Sequence, residues 1–413
     1  MASSAPATRS RIDPALGTFL LLLALNLLNY IDRYILPGEV SLIQREFHST
    51  DQQIGKLTTA FFVCYMIAAP LTGWLGDRFP RKPLIIAGAT FWSLATLATF
   101  WVHDYTTLYI RHAIVGVGEA TFGIFAPAVI SDFYPERERN RILSIFYIAI
   151  PVGAALGYLA GGQMGPLWGW RTPFLICAIP GVLVASLYLF IGKEPVRGAC
   201  DHLRSTPHRA TFFGLFSNPA YLTATFGLAT LTFAMGGISS WMPEFLRRSV
   251  GFSVGHSSQI VGAITVIDGL AGTLIGGWIA QRWLRTNHRA LYLLSFWSVA
   301  LTIPFGALVF FGPRAWAVPS LFAAEFFLFL NTGPLNTAIV NSVSAQVRAT
   351  AVGLNLFIIH CFGDAPSPLI IGAISDRSNL SIGLGSTLIF LFISCGILFA
   401  GSRVAPPLED IQA

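Results

Sequence analysis

Twelve long apolar runs constrain this chain more than any other feature of its sequence. Each is about 20 residues long or more, enough for an α-helix to cross a hydrocarbon core of about 30 Å, whereas membrane barrel strands appear as short alternating segments. A mean hydropathy of +0.64 with only 11% charged residues is too apolar for a soluble domain. The sequence therefore predicts an all-α membrane protein. Its spans 1 to 12 are predicted at residues 16–38, 54–75, 83–102, 106–132, 141–164, 172–192, 217–245, 256–280, 288–312, 316–344, 349–375 and 381–403.

The distribution of lysine and arginine between the loops predicts the orientation. Seventeen of these residues lie in the termini and in the loops after even-numbered spans, against seven in the other loops. Cytoplasmic loops carry the excess of positive charge. Both termini are therefore expected in the cytoplasm, and topology accounts for the net charge of +6 without binding to nucleic acid. We expect a multi-pass protein of a bacterial inner membrane, because long tails and targeting signals are absent.

The longest polar interval divides the spans six and six. Residues 193–216 predict a cytoplasmic linker between an N-terminal bundle, 1–192, and a C-terminal bundle, 217–413. The two halves share short patterns at nearly constant offset, such as Gly73-Trp74-Leu75-Gly76-Asp77-Arg78 and Gly277-Trp278-Ile279-Ala280-Gln281-Arg282. Repeats of this kind indicate a duplicated unit. The sequence therefore predicts two pseudo-symmetric six-helix bundles.

Charged side chains at bilayer depth are the first candidates for a functional site. Span 1 contains an acid and a base side by side in Asn29-Tyr30-Ile31-Asp32-Arg33. Each costs roughly 2.5–3.5 kcal/mol on insertion scales, so both should face the bundle interior or a water-filled cavity. In span 4, Arg111 and Glu119 lie about 12 Å apart along a helix and about 80° apart around it, so they can line one cavity without bridging. Alternatively, Arg111 extends to the headgroups at the end of its span.

Polar side chains of the second half give secondary candidates. Asp268 in span 8 and Glu325 in span 10 have no basic partner in their own spans, which leaves room for a second protonation or polar substrate site. His360 in span 11 is either a pH-responsive group near Asp364 or a neutral, hydrogen-bonded core histidine. The sequence shows no Cys/His metal spacing, nucleophile–base motif or phosphate loop. We therefore expect no metal, no cofactor and no enzymatic activity.

The loop after span 2 reads Gly73-Trp74-Leu75-Gly76-Asp77-Arg78-Phe79-Pro80-Arg81-Lys82. It resembles the signature of the major facilitator superfamily, with Pro80 where the family usually has glycine. Gly73 and Gly76 would let two helices approach closely, and Asp77 would complement the positive N-terminus of a helix from the other half. The resemblance implies the major facilitator fold and a cytoplasmic latch that favours the outward-facing state; the alternative is a loop that only fixes topology. The candidate gating residues are Gly73, Asp77, Arg78, Arg81 and Arg141.

Three motifs resemble a narrower group, the spinster family of lipid transporters. They are Asn29-Tyr30-Ile31-Asp32-Arg33, Gly116-Val117-Gly118-Glu119-Ala120 and His360-Cys361-Phe362-Gly363-Asp364-Ala365-Pro366-Ser367-Pro368. Proton-coupled organic-anion symporters of the same superfamily carry a similar first motif. The resemblance implies a proton-coupled secondary transporter of a lipid or lysolipid that works by alternating access. We expect a monomer in the bilayer, with protons as the coupling ion.

Within this family resemblance, Asp32 and Glu119 are the expected proton acceptors. Arg33 would pair alternately with either acid and contact an anionic headgroup, and Arg111 is a further coupling candidate. Burial opposes the charged form of an acid and a nearby arginine favours it, so protonation can follow the changing cavity. The candidate substrate-binding residues are Asn29, Tyr30, Arg33 and Glu119. Two alternatives remain: a symporter in which Arg33 and Arg111 bind a small organic anion, and a receptor or scaffold that moves no solute.

Overall fold

Twelve helices of the computed structural model, which describes residues 14–196, 212–343 and 347–407, are long and apolar enough to cross a membrane. Spans 1 to 12 have the bounds Pro14–Gly38, Asp51–Gly76, Arg81–Trp101, Tyr105–Phe133, Arg141–Trp168, Thr172–Ile191, Pro219–Val250, Val254–Leu284, Ala290–Phe311, Arg314–Asn341, Thr350–Arg377 and Leu380–Arg403. The predicted starts lie within three residues of these bounds. The described ranges contain no strand. Residues 197–211 of the predicted linker lie outside the described residues.

The spans form two six-helix bundles. Within the first bundle span 1 packs on spans 5 and 6, and span 4 packs on spans 2 and 3; within the second, span 12 packs on spans 7 and 9. Span 2 contacts span 11, and span 5 contacts span 8, across the interface between bundles. Spans 2 and 11 of the first contact correspond to spans 8 and 5 of the second when spans six apart in chain order are treated as equivalent. This is the relation expected of a duplicated unit.

A glycine face on span 5 brings the backbone of span 1 close to it. A Cβ atom on Gly153 would lie 2.6 Å from the Cβ of Tyr30, and one on Gly157 would lie 2.8 Å from the Cβ of Tyr34. Carbon atoms normally contact at about 3.5–4.0 Å, so only glycine permits this approach. The packing holds the segment from Tyr30 to Tyr34 against span 5 and so fixes where Asp32 and Arg33 point.

The bundles are pressed together at one end, here called the closed face, where span 1 ends and span 2 begins. Ser258 donates a hydrogen bond to the carbonyl of Gly38 at 3.1 Å, and Gln163 donates to that of Gly255 at 3.0 Å. Among the described residues, the hydrogen bonds between bundles run only from the membrane middle to this face. The opposite end, where span 2 ends and span 3 begins, is called the open face.

Candidate functional site

Arg33 of span 1 forms an ion pair with Glu119 of span 4. Its Nη2 donates to Glu119 Oε2 at 2.6 Å and its Nε donates to the same oxygen at 3.2 Å. The Glu119 side chain is fully buried, whereas the Arg33 side chain is 20% exposed. Asn29 is buried one helical turn before Arg33 and lies beside Glu119. Removing one partner of a buried ion pair costs about 3–5 kcal/mol, so Arg33 and Glu119 stabilise each other strongly in this arrangement.

Asp32 does not pair with its sequence neighbour Arg33. Consecutive residues of a helix point about 100° apart, so Asp32 faces span 3 and accepts a hydrogen bond from the Thr96 hydroxyl. It is buried, and Arg111 of span 4 interacts with it electrostatically, as Arg33 does. The structure therefore contains an Arg33–Glu119 pair, while the expected alternative pairing of Arg33 with Asp32 does not occur in it.

Arg111 is 5% exposed, so it does not extend to the headgroups. Its Nε donates to the Thr99 hydroxyl, its Nη1 lies 3.1 Å from His112 Nδ1, and its guanidinium carbon lies 4.4 Å from the ring centre of Phe174. A cation within about 6 Å of a ring centre is attracted by it. We call Asp32, Arg33, Arg111 and Glu119 the charged centre, because Arg111 interacts electrostatically with both acids.

Four aromatic rings surround the guanidinium of Arg33. Its carbon lies between 4.9 and 5.9 Å from the ring centres of Tyr30, Phe61, Phe62 and Tyr65. Tyr30 was expected from the first motif, but the three residues of span 2 were missed, because a phenylalanine in an apolar run looks the same whether it faces lipid or an interior. The rings attract the guanidinium while its hydrogen bonds go to Glu119.

His360 and Asp364 of span 11 are hydrogen-bonded to each other. His360 Nδ1 lies 2.9 and 3.0 Å from the two Asp364 oxygens, in a π-helical turn over His360–Asp364. The imidazole stacks on Phe62 at 5.5 Å between ring centres and meets Tyr65 edge-on at 5.9 Å. Phe62 and Tyr65 therefore contact both Arg33 of the first bundle and His360 of the second.

Asp268 and Glu325 form a separate pair of buried acids between spans 8 and 10. Asp268 is 0% exposed and its oxygens accept no hydrogen bond from the described protein groups. Glu325 accepts a hydrogen bond from the Thr265 hydroxyl at 3.3 Å and interacts electrostatically with Asp268. Neither acid forms an ion pair within the described residues. The structure thus brings them to each other, apart from Arg33 and Glu119.

The glycines of the open-face motif differ from their expected role. A Cβ on Gly73 would meet no neighbouring atom within 4 Å, so Gly73 permits no close helix approach here. Gly76 does so, but its neighbour is the ring of Phe125 on span 4 of the same bundle. The Asp77 side chain lies outside the described part of the structure. In this structure the open-face end of span 2 is not packed on the second bundle through Gly73, so the role of Gly73 in a latch of the outward-facing state stays a prediction.

The basic residues of this motif act within the first bundle. Arg78 donates to the carbonyl of Trp74 at 3.3 Å and lies 4.1 Å from its ring centre. Arg81 forms an ion pair with Asp132 at the end of span 4, at 2.6 Å. Arg141 is exposed at the start of span 5. None of the described contacts of these arginines reaches the second bundle.

A charged network that the sequence did not reveal joins the bundles at the closed face. Arg248 of span 7 holds both oxygens of Asp51 at the start of span 2, each at 2.7 Å. Gln44 and Ser375 also donate to Asp51, at 2.7 and 2.6 Å. Asp376 of span 11 accepts the backbone N–H groups of residues 51 and 52 at 2.8 and 3.0 Å. No sequence motif marks Asp51 or Arg248, since their pairing spans 197 positions of sequence.

A second ion pair on the closed face lies within the first bundle only. Arg171 donates to Glu46 at 2.5 Å, and the Trp170 indole donates to the same carboxylate at 2.6 Å. The hydrogen bond from Arg171 holds the pKa of Glu46 below its usual range, although partial burial opposes the shift. Because the Glu46 side chain is 41% exposed, solvent screens this pair. Its hydrogen bonds to described residues all stay within the first bundle, so it provides a matched control for Asp51–Arg248.

Comparisons with known proteins give one consistent result. The model of the Major Facilitator Superfamily matches residues 22–368, which include the charged centre and the His360–Asp364 turn. The chain is 36% identical to Protein spinster homolog 1 of Xenopus laevis over 384 residues, covering 87% of this chain and 72% of that protein. It is 33% identical to the Sphingosine-1-phosphate transporter SPNS2 of Xenopus tropicalis over 390 residues, covering 90% and 76%.

The fold is also similar to that of a solved structure. A bacterial homolog of the human lysosomal transporter Spinster, in an inward-facing and unoccupied conformation, superposes with a TM-score of 0.85 at 22% sequence identity. The match covers 97% of this chain and 99% of the other. The likeness extends over both bundles, so the arrangement of twelve spans is shared as a whole.

Proposed function

Because this chain belongs to the spinster family of the Major Facilitator Superfamily, we propose that it is a proton-coupled transporter of a lysophospholipid or a sphingolipid-like lipid. Like its relatives, the chain is a membrane transport protein and not an enzyme. A relative named for sphingosine-1-phosphate supports a lipid with one acyl or alkyl chain and a phosphate headgroup.

The Arg33–Glu119 ion pair is the observation that carries the proposal. Arg33 is the charged-centre cation with a partly exposed side chain, and guanidinium binds phosphate as readily as carboxylate, with two parallel hydrogen bonds. A headgroup phosphate and Glu119 therefore compete for the same donors. The rings around Arg33 give the adjacent part of the lipid an apolar surface.

Protonation of Glu119 couples this competition to the proton gradient. With Glu119 charged, Arg33 is neutralised within the protein and binds phosphate weakly. With Glu119 protonated, the ion pair is lost and Arg33 is free for the headgroup. Asp32, held by Thr96 and attracted by Arg111, is the second acceptor. Proton and lipid thus bind together, and the loss of one favours the loss of the other.

Alternating access follows from the two faces. The excess of lysine and arginine lies in the loops of the open face, which makes that face cytoplasmic and the structure inward-open. Transport then requires the Asp51–Arg248 contact to break while the open face closes by rocking of the bundles. We place the protein in a cell inner membrane as a monomer with both termini in the cytoplasm.

A liposome flux assay tests the proposal. Purified protein is reconstituted and uptake of a labelled lysophospholipid is followed with and without a pH gradient. We expect gradient-dependent uptake in the parent and in Glu46→Gln, gradient-independent flux in Glu119→Gln, and strongly reduced flux in Arg33→Lys, which cannot form the paired hydrogen bonds of arginine.

Competition identifies the substrate class in the same liposomes. A second lysophospholipid should compete for uptake, and a short water-soluble phosphate ester should not. Competition by the ester alone would favour the small-anion symporter, in which Arg33 binds the anion without a chain. Binding of lipid with no flux in any variant would contradict transport altogether.

A further inference from the structure

Glu39 is a fully buried acid that no sequence motif marks. It follows the last residue of span 1 at the closed face and precedes the helix Val40–Phe47. Its exposure is 0%, and neither carboxyl oxygen accepts a hydrogen bond from the described protein groups. A Cβ on Gly165 would lie 2.6 Å from Glu39 Oε2, so a glycine of span 5 leaves the room that this carboxyl occupies. Glu39 is therefore part of the interior.

Arg111 is the charged group that acts on Glu39 among the described residues. The same guanidinium acts on Asp32. Asp32 lies in span 1, and Glu39 lies in the bend directly after it, seven positions later. Both acids are buried, as Arg111 is.

Arg111, Asp32 and Glu39 each have a side-chain polar atom without a hydrogen-bond partner among the described protein groups. Arg111 Nη2 donates to no described protein acceptor, and Asp32 Oδ1 accepts from no described donor. The other titratable groups near Arg111 are Glu119, the Cys177 thiol and His112. Glu119 already has Arg33 as its partner, so it does not compete strongly for Arg111.

One buried arginine cannot compensate two buried carboxylates. A buried charge without a partner is costly, and the usual outcome is that the group binds a proton instead. Only one of Asp32 and Glu39 is therefore charged at a time, and the other holds a proton. Two acids linked in this way titrate as a pair.

We propose that Glu39 is a third proton-binding residue of the coupling site, linked to Asp32 through Arg111. When Asp32 takes a proton from water that enters through the open face, Arg111 is released to Glu39, whose O–H bond then breaks, and the proton of Glu39 passes to water at the closed face. The reverse sequence loads the site from that face. This inference rests on the proposed proton coupling and adds a residue on the route between the charged centre and the closed face.

Infrared spectroscopy tests the protonation of Glu39 without transport. At neutral pH the parent should show the C=O stretch of a protonated carboxylic acid that Glu39→Gln lacks, and Glu46→Gln should keep it, because Glu46 is an ionised surface acid. Equal carboxylic acid bands in the parent and Glu39→Gln would overturn the proposal. The thermal unfolding of each variant shows that the comparison is made between folded proteins.

Flux measurements test the link to Asp32. In Glu39→Gln, Arg111 compensates Asp32 alone, so the pH midpoint of lipid flux should move lower by about one unit, a tenfold change in proton affinity. Glu39→Asp should restore the parent midpoint. An unchanged midpoint in Glu39→Gln, with a gradient-responsive parent, overturns this inference and leaves the proposed function standing. A parent protein whose lipid flux does not respond to the pH gradient overturns both this inference and the proposed proton coupling.

Discussion

The contact between Asp51 and Arg248 predicts how strongly the closed face is held. Asp51 accepts hydrogen bonds from Arg248, Gln44 and Ser375, and its side chain is 7% exposed. Asp51→Asn keeps the shape and removes the charge. Hydrogen bonds to a charged group contribute about 1.5–3 kcal/mol, so the closed arrangement should lose an energy in this range. The lower end is expected, because Arg248 keeps its bond to Glu244 at 2.5 Å.

This loss of free energy determines the fraction of molecules that are open at the closed face. A free-energy change of about 1.5–3 kcal/mol multiplies the fraction of molecules open at this face by about 10 to 150. The backbone N–H of Gln52 reports that opening, because it donates to Asp376 across the interface between bundles. Hydrogen–deuterium exchange measured by mass spectrometry at the start of span 2 should therefore be about tenfold faster or more in Asp51→Asn than in the parent.

The matched control is Arg171→Gln. It breaks an ion pair of similar geometry on the same face, but Glu46 and Arg171 both belong to the first bundle. Exchange at Gln52 should stay at the parent rate in this variant. The reasoning is refuted if Asp51→Asn leaves the exchange of Gln52 unchanged, or if Arg171→Gln accelerates it equally, since either result would show that the Asp51–Arg248 contact does not hold the bundles together.

Two further predictions concern stability. Gly157→Ala should clearly lower the thermal unfolding temperature, because the new Cβ would lie 2.8 Å from the Cβ of Tyr34. Gly73→Ala should leave the unfolding temperature unchanged, because its new Cβ would meet open space. Equal effects of the two substitutions would contradict the packing of spans 1 and 5. The lowered pKa of Glu46 contributes a small stabilisation that is present above its usual value of 4.5 and is lost as the pH falls through the lowered value. The stability of the parent and of Glu46→Gln is measured as a function of pH at low and at high salt. The difference in stability between the two proteins should vanish in acid and become smaller at high salt.

The spans and the two-bundle fold were predictable because their signals are local. Length and hydropathy define each span within its own residues, and the repeated loop patterns define the halves. The partners of charged residues were not predictable in the same way. Asp32 and Arg33 are adjacent in sequence, yet the helix points them toward spans 3 and 4. There Asp32 accepts a hydrogen bond from Thr96, and Arg33 donates one to Glu119.

The site is also larger than its sequence motifs. Phe62 and Tyr65 contact both Arg33 and His360, but nothing distinguishes them from other aromatic residues in apolar runs. Glu39 follows a Pro-Gly pair and therefore resembles a loop acid, although packing against Gly165 buries it completely. Such residues become visible only when helices distant in sequence are placed side by side.

The exchange of Arg33 between Glu119 and a lipid phosphate is the central claim, and proton uptake on lipid binding tests it most directly. Purified protein in weak buffer at neutral pH is mixed with a lysophospholipid, and a pH indicator follows the medium. The account predicts that binding makes the medium more alkaline, because Glu119 takes up a proton as Arg33 turns to the phosphate, and that Glu119→Gln binds lipid without this change. Lipid binding by the parent with no proton uptake, or with the same uptake in Glu119→Gln, would contradict it.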